Sequence, residues 1–155
     1  MKLSELLTPE RIRIPMTATS KDDALRELVS LLPEHQAANT QTGILQAILE
    51  RESRMSTGIG QGVAIPHGKS PLVSRMEMAF GIAPTPIAFD ALDGEPVDLF
   101  FLLVSPPDFS GPHIKVLAQI SRMLSADGFR DNLAAADSAD TVLSLLRGEE
   151  QGDEE

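Results

Sequence analysis

Residues 99–104 read Leu-Phe-Phe-Leu-Leu-Val, an apolar run with no polar residue at alternate positions. A strand with one wet face alternates, whereas a strand covered on both faces does not need to. The run is also far too short to span a bilayer, which takes about 20 apolar residues as a helix. It therefore reads as a central strand, and a central strand demands packing layers above and below it.

The rest of the chain offers the material for those layers. Ser20 can cap a helix whose Leu25, Leu28, Val29 and Leu32 form one stripe, with Pro33 ending it. A second helix carries Ile44, Leu45, Ile48 and Leu49 at the same spacing. Another starts near Gly111-Pro112 and buries Val116, Leu117, Ile120, Met123 and Leu124. A short helical turn follows at Phe129 to Leu133, and Ser138 caps a last helix that turns Val142, Leu145 and Leu146 inward, with Gly148 just past its end. Among the strands, Met76, Met78, Phe80 and Ile82 alternate with Arg75, Glu77, Ala79 and Gly81, as in a half-buried strand. Asp93-Gly94 signals a turn between the 87–89 segment and the central strand, and Ile12, Ile14 and Met16 suit an edge strand. The expected architecture is α/β: a single domain with a mixed β-sheet flanked by helices on both faces. Residues 1–148 make up that domain, and 149–155 read as an acidic disordered tail whose role is to solubilise.

Composition narrows the function. The chain has 155 residues and no cysteine, which removes disulfides, thiolate zinc sites and cysteine nucleophiles. It has no Trp or Tyr and six Phe, too few for stacking platforms that hold single-stranded nucleic acid. The formal net charge of −10 opposes nucleic-acid and anionic-membrane partners and favours a basic protein surface. Glu5 interrupts the short apolar start, so no signal peptide is expected, and the cytoplasm is the expected location.

Residues 62–69, Gly-Val-Ala-Ile-Pro-His-Gly-Lys, hold the chemistry. Pro66 fixes its own φ and presses Ile65 toward an extended backbone, so the 63–65 strand cannot coil on into a helix. Gly68 lacks a Cβ and lets bulk approach the imidazole. His67 is therefore expected to sit rigidly where a strand meets a loop. A neutral imidazole there can act as nucleophile, base or metal ligand, or serve only a structural purpose. Two phosphate-loop patterns nearby fail. Gly68-Lys69-Ser70 lacks the leading glycine of a Walker A loop, since residue 63 is valine and Pro66 lies inside it. Gly58-Ile59-Gly60-Gln61-Gly62 lacks the third glycine of a dinucleotide fingerprint for the same reason. It reads instead as a flexible glycine turn, able to close over a partner and to leave backbone accessible beside His67. His113, in the first turn of its helix, is either near an anion or a surface histidine beside a cap. His35 reads as a loop histidine with no role, and with no third ligand at metal spacing a metal site is a minor option.

Taken together, Arg51-Glu52, residues 56–69, residues 89–99 and residues 113–118 resemble the fructose/mannitol-type enzyme IIA domains of the bacterial phosphotransferase system. The likeness spans residues 3–147, and the wording of residues 56–69 is most similar to the nitrogen-regulatory branch. The resemblance implies that His67 accepts a phosphoryl group from a phosphohistidine of HPr or its nitrogen-branch paralogue. It implies that His113 is the second active-site histidine and that Arg51 belongs to the same site. It also implies a mixed sheet with helices on both faces, in agreement with the periodicities above. No cofactor is implied, neither ATP nor metal, because the donor already carries an activated group. Transfer between imidazoles needs an in-line approach, an unprotonated nitrogen and positive surroundings for the phosphoryl oxygens. Two functions then remain open. One is a regulator whose phosphorylation state selects target proteins such as transporters or sensor kinases. The other is a sugar-specific carrier passing phosphate to a transporter's IIB domain; the lack of transporter segments in this sequence leans toward the first.

Overall fold

The computed structural model describes residues 2–32 and 38–154, so His35 and Pro33 lie outside the described residues. Two short elements open the chain: a helix, α1 (Leu3–Leu6), and a strand, β1 (Ile12–Arg13), joined by a 3-10 turn. Two helices follow, α2 (Lys21–Ser30) and α3 (Ala38–Arg54). Three short strands come next: β2 (Gly58–Gly60), β3 (Val63–Ala64) and β4 (His67–Lys69). Two long strands, β5 (Glu77–Ile87) and β6 (Val97–Ser105), precede α4 (Ser110–Leu124), α5 (Phe129–Ala134) and α6 (Ala139–Glu154).

The sheet is mixed, in the order β1-β5-β6-β3-β2, with β4 also paired to β6. β6 is the central strand that its composition requires. It runs antiparallel to β5, with Phe80 opposite Phe101, and parallel to β3 and β4 on its other side. β3 and β4 follow one another along the same edge of β6: Val63 pairs with Leu99, and His67 pairs with Leu103. Successive residues of β6 then feed opposite cores. Leu99, Phe101 and Leu103 join a cluster with Val116, Ile120 and Met123 of α4, Leu133 of α5 and Val142 and Leu146 of α6. Phe100, Leu102 and Val104 join Leu25, Leu28 and Val29 of α2 and Ile44 and Ile48 of α3. Each cluster contains an edge-to-face phenylalanine pair, Phe80 with Phe101 at 4.8 Å and Phe89 with Phe100 at 5.5 Å.

Three local expectations change. β5 is covered on both faces, not one: Glu77 and Ala79 are fully buried alongside Met78 and Phe80. Small residues make this second layer fit. A Cβ on Gly81 would come within 2.8 Å of Met16 Cγ and 3.4 Å of Leu28 Cδ2, so the glycine lets α2 and the 16–18 segment close on the sheet. The last helix does not stop at Gly148 but runs on to Glu154. Glu150, expected in a disordered tail, is buried; it accepts hydrogen bonds from the Ser4 N–H at 2.9 Å and the Ser4 hydroxyl at 2.7 Å. That contact ties α6 to α1. Third, residues 58–62 form no loose loop. β2 and β3 are a hairpin in which Gly60 pairs with Val63, and Gln61 (φ 57°) and Gly62 (φ 77°) make its two-residue turn. Positive φ at both central residues is the signature of a type I′ turn. Asp93 accepts from the Gln61 N–H at 3.0 Å, and Arg130 donates to the Gln61 carbonyl at 2.6 Å while pairing with Asp98.

Candidate functional site

His67 opens β4 and does not end a strand at a loop, because the chain resumes pairing with β6 directly after Pro66. The Leu103 N–H donates to the Pro66 carbonyl at 2.9 Å, which keeps the proline in line with the sheet. His67 and Lys69 share one side of β4 by strand alternation, and Gly68 faces the other. A Cβ on Gly68 would lie 3.2 Å from Ile48 Cδ1 and 3.4 Å from the Ala47 carbonyl of α3. The missing side chain therefore admits α3 itself. Arg51 lies one helical turn beyond Ala47 and Ile48 on the same face of α3, so docking that face on Gly68 carries Arg51 to the rim beside His67.

On the far side, α4 brings His113. Its first turn holds Gly111 and Pro112, where proline costs no hydrogen bond, and the His113 N–H donates to the Phe109 carbonyl at 2.9 Å. Lys69 of β4 donates to the Ser110 hydroxyl at 2.6 Å and ties strand to helix start. The result is an open cleft of about 480 Å³ between α3 and α4, lined by Arg51, Arg54, His67, Lys69, His113 and Ile114 among others. All three residues singled out from the sequence, His67, His113 and Arg51, border it.

The two imidazoles have fixed hydrogen-bond roles. His67 Nδ1 lies 2.8 Å from the Ile65 carbonyl. A carbonyl only accepts, so Nδ1 carries the hydrogen and Nε2 keeps its lone pair. Burial pushes the His67 pKa below the usual imidazole value, and the Arg51 charge pushes the same way. The Ile65 carbonyl and the Glu52 charge only partly offset this. His113 is 4% exposed, and its Nδ1 meets the Ser105 hydroxyl. Burial, then the charges of His67 and Lys69, bring its pKa down to about 4. Both rings are therefore neutral at pH 7. His67 offers an unprotonated ring nitrogen, and its neighbour is an uncharged hydrogen-bonding group.

Charge in the cleft runs against the chain's overall balance of −10. Arg51, Arg54 and Lys69 line it, and among the described lining residues Glu50 is the one acidic side chain. Glu50 pairs with Arg54 at 2.9 Å. Arg51 donates to the Met55 carbonyl at 3.0 Å, which anchors it at the end of α3. A concave surface with surplus cations beside a free imidazole nitrogen suits a dianionic group. Sequence reading had not assigned Arg54, Lys69 or Ser105 to the site. Lys69 had a visible signal, two residues from His67 on a strand, and so did Arg54, three residues from Arg51 on a helix. Ser105 had only its place at the end of the apolar run. The glycine hairpin, by contrast, lies at the other end: Val63 is four residues from His67 along the β6 edge, roughly 13 Å at strand spacing. It does not border the cleft.

Residues 5–148 match the family described as "Phosphoenolpyruvate-dependent sugar phosphotransferase system, EIIA 2". The chain is 36% identical over 146 residues to a "Nitrogen regulatory protein" of Bradyrhizobium diazoefficiens, covering 94% of this chain and 95% of that one. It is 33% identical over 146 residues to a "PTS system fructose-specific EIIABC component" of Bacillus subtilis, covering 94% of this chain but 23% of that longer protein. Among solved structures, the nitrogen regulatory protein IIA-Ntr of Neisseria meningitidis superposes with a TM-score of 0.86 at 34% identity, over 93% of this chain and 98% of that one.

Proposed function

Because the chain belongs to the EIIA 2 family of the phosphoenolpyruvate-dependent sugar phosphotransferase system, we propose that His67 is its phosphoryl acceptor and that its phosphorylation state selects the proteins it binds. The donor is a phosphohistidine on an HPr-like carrier. The observation that carries this reading is the hydrogen bond from His67 Nδ1 to the Ile65 carbonyl at 2.8 Å, which leaves Nε2 free beside the cationic cleft. In transfer, the donor's P–N bond breaks as a P–N bond forms to Nε2, and the hydrogen stays on Nδ1, donated to the Ile65 carbonyl. Arg51, Lys69 and the ring Nε2–H of His113 compensate charge on the phosphoryl oxygens. Two of the three relatives described above are named nitrogen regulatory proteins, which favours regulatory targets, transporters or sensor kinases, over sugar uptake. No helix among the described residues is long and apolar enough to cross a membrane, which accords with work in the cytoplasm.

The fructose-specific relative supports one alternative, onward transfer to a IIB domain. A single labelling experiment addresses both. Incubation with phosphoenolpyruvate, enzyme I and an HPr-type carrier should add one acid-labile, alkali-stable phosphoryl group to the wild type and none to His67→Ala. Equal labelling of the variant would refute the assignment. Loss of the label to an added fructose-type IIB domain would favour the transport reading.

A further inference from the structure

Ser105 is the last residue of β6 and is fully buried. Its backbone is occupied by the sheet: Ser105 pairs with Lys69, and its carbonyl accepts from the Ser70 N–H at 3.0 Å. Its hydroxyl has a single partner among the described residues, Nδ1 of His113. His113 lies in turn 5.4 Å from His67, ring centre to ring centre, with the planes at 61°.

A neutral imidazole carries one hydrogen, on Nδ1 or on Nε2. With the hydrogen on Nδ1, His113 would donate to Ser105, and the serine's own hydrogen would be stranded without an acceptor in a site closed to water. A buried hydroxyl left without an acceptor is costly, because its hydrogen bond to water is lost and not replaced. With the hydrogen on Nε2, Ser105 donates to Nδ1, every group is satisfied, and the Nε2–H remains available to the cleft. The first arrangement would also turn a lone pair toward the phosphoryl oxygens, and the second turns a donor toward them. Only the second helps transfer.

We infer that Ser105 is a positioning residue: by donating its hydroxyl hydrogen to His113 Nδ1 it locks His113 as the Nε2–H tautomer, which presents a hydrogen-bond donor to the phosphoryl group moving onto His67. The inference rests on His67 as acceptor but is tested apart from it. No proton is transferred at His113, which donates a hydrogen bond and remains neutral. Ser105 itself touches neither donor nor phosphoryl group.

The test compares wild type, Ser105→Ala and Ser105→Thr by two measurements. Ring ¹⁵N shifts of His113 in the unphosphorylated protein report the tautomer and need no phosphoryl transfer at all. Initial rates of labelling from the HPr-type donor report the consequence. Wild type should show Nε2–H at His113. Ser105→Ala should show a mixed or Nδ1–H ring and label about tenfold or more slowly, by analogy with loss of the partner that orients a metal-bound imidazole. Ser105→Thr, which keeps the hydroxyl, should resemble wild type in both. An Nδ1–H ring in wild type overturns the inference, whether or not His67 proves to be the acceptor. So does an unchanged tautomer or an unchanged rate in Ser105→Ala. Failure of the acceptor reading looks different: His67→Ala would still be labelled while the His113 tautomer stayed as stated here.

Discussion

His67 and His113 stand edge to face, 5.4 Å apart between ring centres, although one ring is carried by a strand and the other by the opening turn of a helix. Burial keeps both neutral, and each uses its Nδ1 on the protein, His67 toward the Ile65 carbonyl and His113 toward the Ser105 hydroxyl. Two Nε2 atoms are left for the cleft, one with a lone pair and one with a hydrogen.

This neutrality sets a pH dependence. The His113 pKa falls from 6.5 to about 4, and that of His67 also falls, so the unfolded chain takes up protons that the folded chain refuses. Stability should therefore decline as the pH drops from about 6.5 toward 4, and be level above that window. The expected loss from His113 is on the order of 1–3 kcal/mol. Urea unfolding at pH 7.5 and 4.5 measures it, and His113→Gln should flatten the acid limb. Phosphoryl acceptance should likewise hold up below pH 6.5, since His67 stays unprotonated past the usual imidazole value.

Arg51 is expected to act on the reaction and not on the fold. Its guanidinium borders the cleft and donates to the Met55 carbonyl, and among the described residues it has no carboxylate partner within ion-pair distance. Arg51→Ala should slow labelling of His67 by roughly tenfold to a thousandfold, as expected for loss of one electrostatic stabiliser. The thermal midpoint should move little. An unchanged rate would remove Arg51 from the site.

Two glycines separate the site from the scaffold. Gly62→Ala would add a Cβ at φ 77°, 2.8 Å from Asp98 Oδ1 and against the Arg130 guanidinium. It should cost about 1–3 kcal/mol in backbone strain and a disturbed ion pair, yet leave the labelling rate unchanged. Gly68→Ala meets only the end of Ile48 and the Ala47 carbonyl, a milder contact of about 1 kcal/mol. It presses on α3, however, and through α3 on Arg51, so its labelling rate should fall. Denaturant midpoints and initial rates for the two variants should rank in opposite orders.

Glu150→Ala should show that the acidic end is part of the fold. It would leave the Ser4 amide and hydroxyl without their acceptor, at about 1–3 kcal/mol. Amide hydrogen exchange should quicken in α1 and the last turns of α6, and labelling of His67 should be unaffected.

What could be read in advance followed the strength of local signals. The apolar 99–104 run, the Ser20 cap (3.3 Å from the Asp23 N–H) and the Asp93-Gly94 turn each carry their own physics, and all three stand as expected. β4 was not legible, because His-Gly-Lys has no apolar alternation and becomes a strand only through pairing with β6. Nor was the helical course of α6 past Gly148, where Glu150 meets Ser4, 146 residues away. At the site, the two histidines and Arg51 stood out through their motif. Ser105 did not, since a hydroxyl after an apolar strand gains meaning only when a helix places an imidazole against it.

The division of the apolar residues into two clusters has a mechanical consequence for the cleft. α3 is seated in one cluster and α4 in the other, with the edge of the sheet between them. The cleft is thus a seam, and Arg51 and His113 ride on separately anchored banks. A core substitution far from either, Ile44→Val under α3 or Ile120→Val under α4, would shift one bank and leave the other still. The width of the gap is in this sense a joint property of two interiors that otherwise share only the sheet.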